Sequence, residues 1–233
     1  MGIYKVETYR AIDKPDLNEI FLREHANVLR DYGVTMITSF KQSWMENPYA
    51  HCVVAYNEDG IMVGGIRVHI KDWNKYPLPM EVAIAKLDEG IYDLVKRYQS
   101  QGVGELCGLW NSKSVQGVGI SFMLTRAAVS IVNQLKFDIL MGICAEYSLP
   151  MFKNVGFEID TSLSNNGEFP YPTDEYITRV VGILKSSTLE TANIYDREKI
   201  LGLRKNPVQI RGEEGKKGNF KVDYNLIVNV LEK

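Results

Sequence analysis

Histidine and cysteine are scarce in this chain, and each scarcity restricts its chemistry. Only three of each occur in 233 residues. Cys52, Cys107 and Cys144 are odd in number and lie in separate apolar stretches, so they read as reduced core thiols rather than a disulfide or zinc framework. His25, His51 and His69 show neither His-x3-His nor His-Glu-x-x-His spacing, so the expectation is no metal. An excess of positive charge is missing too. The formal net charge of -2 offers no general basic surface to neutralise a phosphate backbone, which argues against a nucleic-acid partner. Long hydrophobic runs are also absent. The longest apolar stretch, Ile120 to Leu135, contains Thr125, Arg126, Ser130 and Asn133 and is too polar for a membrane span. The start, Met1-Gly2-Ile3-Tyr4-Lys5-Val6, has no apolar leader, and Val6 stands where a myristoylation signal needs Ser or Thr. The expected compartment is the cytoplasm.

What the sequence does have is enough apolar material, 45% against 24% charged, to bury a sizeable core as one large domain or a domain with an appendage. Asp16 to Arg30 spaces Leu17, Ile20, Phe21, Val28 and Leu29 as an amphipathic helix, with Pro15 at its entrance and Gly33 beyond its end. Ala50 to Tyr56 and Ile61 to Ile70 read as antiparallel strands joined at Asn57-Glu58-Asp59-Gly60. Trp73 to Pro79 reads as an irregular loop, and Ala83 to Gln99 as a helix with Ile84, Leu87, Ile91, Leu94 and Val95 inward. There follow a strand, Glu105 to Trp110, a glycine-containing loop, Ser112 to Gly119, and a helix, Ile120 to Leu135. Phe137 to Cys144 is the next strand, Ser148 to Asn154 a short helix closed by Gly156, and Phe157 to Ile159 the start of another strand. Beyond it, Thr173 caps an expected helix bearing Ile177, Val180, Val181 and Leu184. Glu190 to Leu203 is a further helix, and a turn at Gly212 to Gly218 precedes a final strand, Phe220 to Val230.

The chemistry concentrates at the loop. A strand that runs into a glycine-containing loop opening a helix turns several free backbone N–H groups, and the positive end of the helix dipole, toward one point. Gly117 and Gly119 let a pyrophosphate come close to the main chain between Gln116 and Ser121. Glycines also start helices for packing reasons alone, so the loop by itself decides nothing. ATP and dinucleotide motifs fail. No Gly-x4-Gly-Lys-[Ser/Thr] occurs, Phe122 fills the place of a Rossmann loop's third small residue, and a helix and hairpin precede the loop.

Three spaced features together resemble the Gcn5-related N-acetyltransferases. The family signature Arg/Gln-x-x-Gly-x-Gly/Ala falls on Ser114-x-x-Gly117-x-Gly119. Its strand pattern falls on Glu105, Leu109 and, approximately, Asn111. Its later Tyr-x-x-x-Gly-Phe falls on Phe152-Lys153-Asn154-Val155-Gly156-Phe157. The resemblance covers about residues 61–159. It departs at Ser114, in place of Arg or Gln, and at Phe152, in place of the tyrosine that often protonates the leaving thiolate.

The resemblance implies an α/β (α+β) fold: a mixed, mostly antiparallel central sheet with flanking helices and a central strand pair that splays apart. Residues 1–160 would form the acyl-CoA-binding core and 161–233 a C-terminal extension packed on it. Acetyl-CoA or a longer acyl-CoA would be the co-substrate. Leu109, Trp110 and Asn111 would meet its pantetheine arm and thioester through the main chain, and Gln116, Gly117, Val118, Gly119, Ile120 and Ser121 would meet its pyrophosphate. Glu105 is the candidate base that takes a proton from the acceptor amine; its plain alternative is a carboxylate ending a strand in solvent. Tyr147 is the candidate acid for the thiolate, against the plainer reading of a buried ring with a wet hydroxyl. Cys144 has no paired histidine nearby, which argues against a covalent acyl-cysteine. Gly215-Lys216-Lys217-Gly218 reads as a solvated turn or as a contact for the coenzyme's 3'-phosphate.

The implied activity is direct transfer of an acetyl or longer acyl group to a small-molecule amine. The length also resembles N-acyl amino acid synthase and autoinducer synthase branches, which would add acyl-carrier protein as a partner and use the extension to roof a long acyl chain. The extension could equally shape the acceptor pocket or a homodimer interface. A non-catalytic acyl-CoA sensor is the reading from a different class.

Overall fold

The structure is a computed structural model, and it describes residues 2–31, 33 and 42–229. Its centre is a sheet that, among the described residues, holds ten strands in the order β6-β8-β5-β4-β3-β2-β1-β10-β9, with β7 paired to β8. In chain order the elements are β1 (Ile3–Arg10), α1 (Pro15–Asp31), β2 (Ala50–Tyr56), β3 (Met62–Ile70), α2 (Pro79–Ile84), α3 (Gly90–Arg97), β4 (Val103–Asn111) and α4 (Ile120–Leu135). Then come β5 (Ile139–Ala145), α5 (Leu149–Asn154), β6 (Glu158–Ile159), β7 (Glu168–Pro170), β8 (Ile177–Ile183), α6 (Ile194–Lys205), β9 (Val208–Gly215) and β10 (Gly218–Asn225). The β4–β5 and β1–β10 pairs are parallel and the others antiparallel. The mixed, mostly antiparallel sheet with flanking helices is thus as expected.

Helices cover both faces because alternate strand residues point to opposite sides. On one face α4 lays Ile120, Leu124, Ala127 and Ile131 against Val53, Ile66, Val68 and Leu106. On the other, α1 presses Phe21 onto Cys52, Val54 and Trp110 with Trp44, while α2 and α3 bring Met80, Ile84, Ile91 and Leu94 onto Val103, Ile139 and Met141. A polar strip separates these last two apolar clusters, and it matters below.

Two expected helices are corrected. The single helix over residues 83–99 is instead α2 and α3. Asp88 interrupts it by accepting the Gly90 N–H at 2.9 Å and the Ser164 N–H at 2.9 Å, local bonds that compete with helix propagation. Leu87, placed inward by the periodicity, lies in that break and is exposed. The helix expected after Thr173 is the strand β8, whose Ile177, Thr178, Val180, Val181 and Ile183 favour extended backbone and pair with β5 along Leu140↔Ile183 to Ala145↔Thr178. Strands β1 and β9 add to what periodicity found. Residues from 161 onward supply β7, β8, α6, β9 and β10 to the same sheet and its cover.

The C-terminal hairpin is held by charge. On α4 the buried Arg126 pairs with Asp196 of α6 and reaches Glu213 of β9 at 3.6 Å, and Glu213 also takes Lys199 at 3.2 Å and Arg211 at 2.9 Å. This network sets the β9–β10 tip beside the start of α4.

Candidate active site

The site begins where two parallel strands part. β4 and β5 pair from Val103↔Ile139 to Leu106↔Gly142 and then stop, although β4 runs on to Asn111 and β5 to Ala145. A bulge drives the separation. Between Arg67↔Cys107 and Gly65↔Trp110, β3 spends one residue, Ile66, and β4 spends two, Gly108 and Leu109. Gly108 takes φ of 62°, a left-handed conformation that glycine adopts without steric cost. Leu109 and Asn111 are half-buried on the freed arm, while Trp110 turns into the core against Phe21.

At the top of that arm the chain enters the glycine loop. Ser112 N–H bonds to the Val63 carbonyl at 2.8 Å, and a 3-10 turn spans Lys113–Val115. Gly119 then caps α4 with φ of 100°, leaving the first-turn N–H groups of Ile120, Ser121 and Phe122 without carbonyls one turn back. The Ser121 hydroxyl donates to the Asn111 side-chain oxygen, tying the helix start to the fork. Gln116 is exposed, and Gly117, Val118 and Gly119 are half-buried. The free arm of β4, the loop and the first turn of α4 thus follow one another in the chain and are tied together by this bond.

At the base of the fork stands Glu105, completely buried. One carboxylate oxygen accepts the Met80 N–H at 2.8 Å, and the other has no partner. Burial drives its pKa from 4.5 up to about 8, although the Met80 bond and nearby Arg67 pull the other way. A solvent-exposed strand end is thereby excluded.

No protein-family model matches the sequence, and no curated protein matches it. Solved structures do resemble the chain. FeeM, an N-acyl amino acid synthase from uncultured soil microbes, shares 14% identity with a TM-score of 0.63, covering 85% of this chain and 99% of its own. An acyl-CoA N-acyltransferase from Pseudomonas aeruginosa superposes with a TM-score of 0.54 at 13% identity, over 77% of this chain and 98% of its own. BjaI, a CoA-dependent acyl-homoserine lactone synthase whose structure contains SAM and isopentyl-CoA, shares 10% identity with a TM-score of 0.52 over 96% of both chains. This chain has the Gcn5-related N-acetyltransferase fold.

Within the Gcn5-related fold, the two departures from the family pattern have definite environments. Ser114 is exposed and pairs with the Ser112 hydroxyl at 2.5 Å. Phe152 is core, stacked edge-on to Phe157 with ring centres 5.3 Å apart. Tyr147 follows β5 in a one-turn helix and is 82% exposed, so its ring is not the buried one the plainer reading required. Cys144 is buried, and desolvation pushes its thiol up to about 12, which leaves almost no thiolate for nucleophilic attack at neutral pH. Among the described residues no group of three His, Cys, Asp or Glu side chains comes together as a metal site, and no helix is long and apolar enough to cross a membrane.

The turn Gly215-Lys216-Lys217-Gly218 meets the glycine loop through Lys217. Lys217 N–H bonds to the Gly117 carbonyl at 3.2 Å, and the Lys217 stem lies across Gly117, with Cε 3.3 Å from where a β-carbon would stand. A β-carbon on Gly215 would come within 1.8 Å of the Val118 carbonyl oxygen. The hairpin tip thus forms a second wall of the glycine loop.

A further group was missed. On the face shared by α1 and α2, β3 presents Arg67 and His69 directly opposite Cys107 and Glu105 of β4. These four make up the polar strip between the apolar clusters. A cation and a histidine in the otherwise apolar strand Met62–Ile70 were the available signal.

Proposed function

We propose that this protein is an acyl-CoA-dependent N-acyltransferase that moves an acyl group directly from the thioester to the amine of a small-molecule acceptor. One observation supports the reading: the β4–β5 fork lies between a glycine loop with free backbone N–H groups at one end and a buried carboxylate with an unpaired oxygen at the other. The pyrophosphate would lie against the N–H groups of Gly117 to Ser121, with Gln116 and Lys217 at the rim. The pantetheine arm would add to the freed edge of β4 at Leu109, Trp110 and Asn111, where main-chain N–H polarises the thioester carbonyl.

The ionised Glu105 takes a proton from the acceptor's ammonium and later returns it to solvent. The neutral nitrogen attacks the thioester carbon, and the tetrahedral intermediate expels the coenzyme as thiolate while the nitrogen loses its second proton to water, which restores the hydroxyl of the acid that protonates the thiolate. Tyr147, at the end of the β5 arm, supplies the thiolate's proton. Because a thiolate is a good leaving group, this acid contributes less than the base.

Two neighbours that cover most of the chain, FeeM and BjaI, are by name an N-acyl amino acid synthase and a CoA-dependent acyl-homoserine lactone synthase. That coverage supports a longer acyl chain, from coenzyme A or acyl-carrier protein, as a second reading beside acetyl transfer. A thermal-shift titration with acetyl-, medium- and long-chain acyl-CoA tests both, because a ligand that binds only the folded state must stabilise it. Stabilisation rising with chain length selects the second reading, preference for acetyl-CoA selects the first, and no response to any of them refutes the function.

A further inference from the structure

The Arg67 guanidinium is a buried cation without a hydrogen-bond partner among the described residues. Only 1% of the residue is exposed, and Nε, Nη1 and Nη2 all lack acceptors among the described residues. Trp44 stacks 4.3 Å from the guanidinium carbon and Phe21 lies 5.8 Å away, so the aromatic rings offset part of the desolvation but accept no hydrogen bond. No carboxylate of the described residues lies within salt-bridge distance. Neighbouring His69 is held neutral by burial first and by Arg67 second, and its Nε2 is also unpaired.

The placement of this cation is specific. A β-carbon on Gly108 would lie 2.9 Å from Arg67 Nε and 3.0 Å from Nη2, so the guanidinium rests on the bare α-carbon of the bulge that opens the fork. Arg67 and Glu105 are diagonal neighbours on adjacent strands, a relation that sets Cα atoms roughly 7–8 Å apart. That span suits a ligand carrying a cation and an anion a few bonds apart. The rings of Phe21 and Trp44 lie against the guanidinium on the α1 side, while Cys107, Gly108 and Leu109 of the bulge are half-buried.

We propose that Arg67 is the carboxylate anchor of the acceptor pocket and that the acceptor is an amino acid, its amine at Glu105 and its carboxylate on the Arg67 guanidinium. The proposal rests on the acyltransferase reading for the role of Glu105, but the Arg67 contact can be tested by binding alone. Arginine suits the task because its planar fork pairs both carboxylate oxygens at once.

The experiment is a thermal-shift and calorimetric titration of the full chain with L-amino acids, their amides and their decarboxylated amines, with and without coenzyme A. The wild type should respond to at least one amino acid and at least ~30-fold more weakly to its amide and amine, the scale for removing one partner of a buried charge pair. Arg67→Met, similar in length and without charge, should lose the amino-acid response and keep that to coenzyme A. Arg67→Lys keeps the charge without the fork, is the variant to use if Met disturbs folding, and should bind at least ~10-fold more weakly. The proposal is overturned if no amino acid binds the wild type, if amides and amines bind equally well, or if folded Arg67 variants retain full affinity. A protein that binds amino acids through Arg67 but never acyl-CoA would refute the acyltransferase reading and leave the anchor standing.

Discussion

Replacing Glu105 with glutamine changes one atom of the buried carboxyl, and the structure makes its consequences calculable. With its pKa at about 8, the side chain is ionised in about a tenth of molecules at pH 7, so kcat/KM should rise nearly tenfold per pH unit below 8 and level off above it. Glu105→Gln removes the base and should lower kcat/KM by ~10²–10⁴-fold while abolishing that step. The fold should survive, since the glutamine carbonyl can accept the Met80 N–H in place of the carboxylate oxygen. Stability should move the opposite way. A carboxyl whose pKa is raised in the folded state binds its proton more tightly there, so its contribution is fully present below 4.5 and is lost as pH rises toward 8. At about 1.4 kcal/mol per pKa unit, the loss has a ceiling of about 5 kcal/mol at pH 8 and above, which the glutamine variant escapes. Release of free coenzyme A thiol across pH, together with urea unfolding at pH 5 and pH 8.5, reads both effects. A variant with wild-type turnover and an unchanged pH step would refute the assignment, as would a wild type whose stability shows no fall over that interval beyond that of the variant.

Gly119→Ala forces a β-carbon into φ of 100° at the cap of α4 and should cost about 1–2 kcal/mol by denaturant unfolding, together with a loss of coenzyme A affinity by calorimetry. Lys217→Ala should weaken coenzyme A binding by up to about 5-fold, more at low salt than at high, because an exposed cation acts through a screened field. Gly108→Ala would put a β-carbon at φ of 62° within 3.0 Å of two Arg67 nitrogens and should abolish amino-acid binding, with a smaller loss of the response to coenzyme A because the same bulge opens the fork. Tyr147→Phe should lower kcat by no more than about 10-fold, with the loss greatest for poor leaving thiols in a thioester series.

The strand, glycine loop and helix at residues 105–135 were legible because each carries a local signal: alternating apolar residues, glycines at the positive-φ positions, and a stripe of period 3.6. Residues 120–135 form a helix with the boundaries the sequence indicated. The same kind of signal misled over 173–184, where Ile177, Val180, Val181 and Leu184 fit a helical stripe but β5 offered a free edge that a strand could fill. It misled again at Leu87, where Asp88 finds better partners for its carboxylate outside a helix.

Local sequence therefore determined the strand, glycine loop and helix over residues 105–135, because backbone conformation and strand periodicity are short-range properties, whereas Glu105 stood out only through the family resemblance. Tertiary structure alone decided the rest of the site. Burial of Glu105, the meeting of Lys217 with Gly117 across a hundred residues, and the stranding of Arg67 beside Gly108 depend on sheet order and register. Desolvation and cross-strand proximity are properties of the packed chain, and no window of sequence contains them.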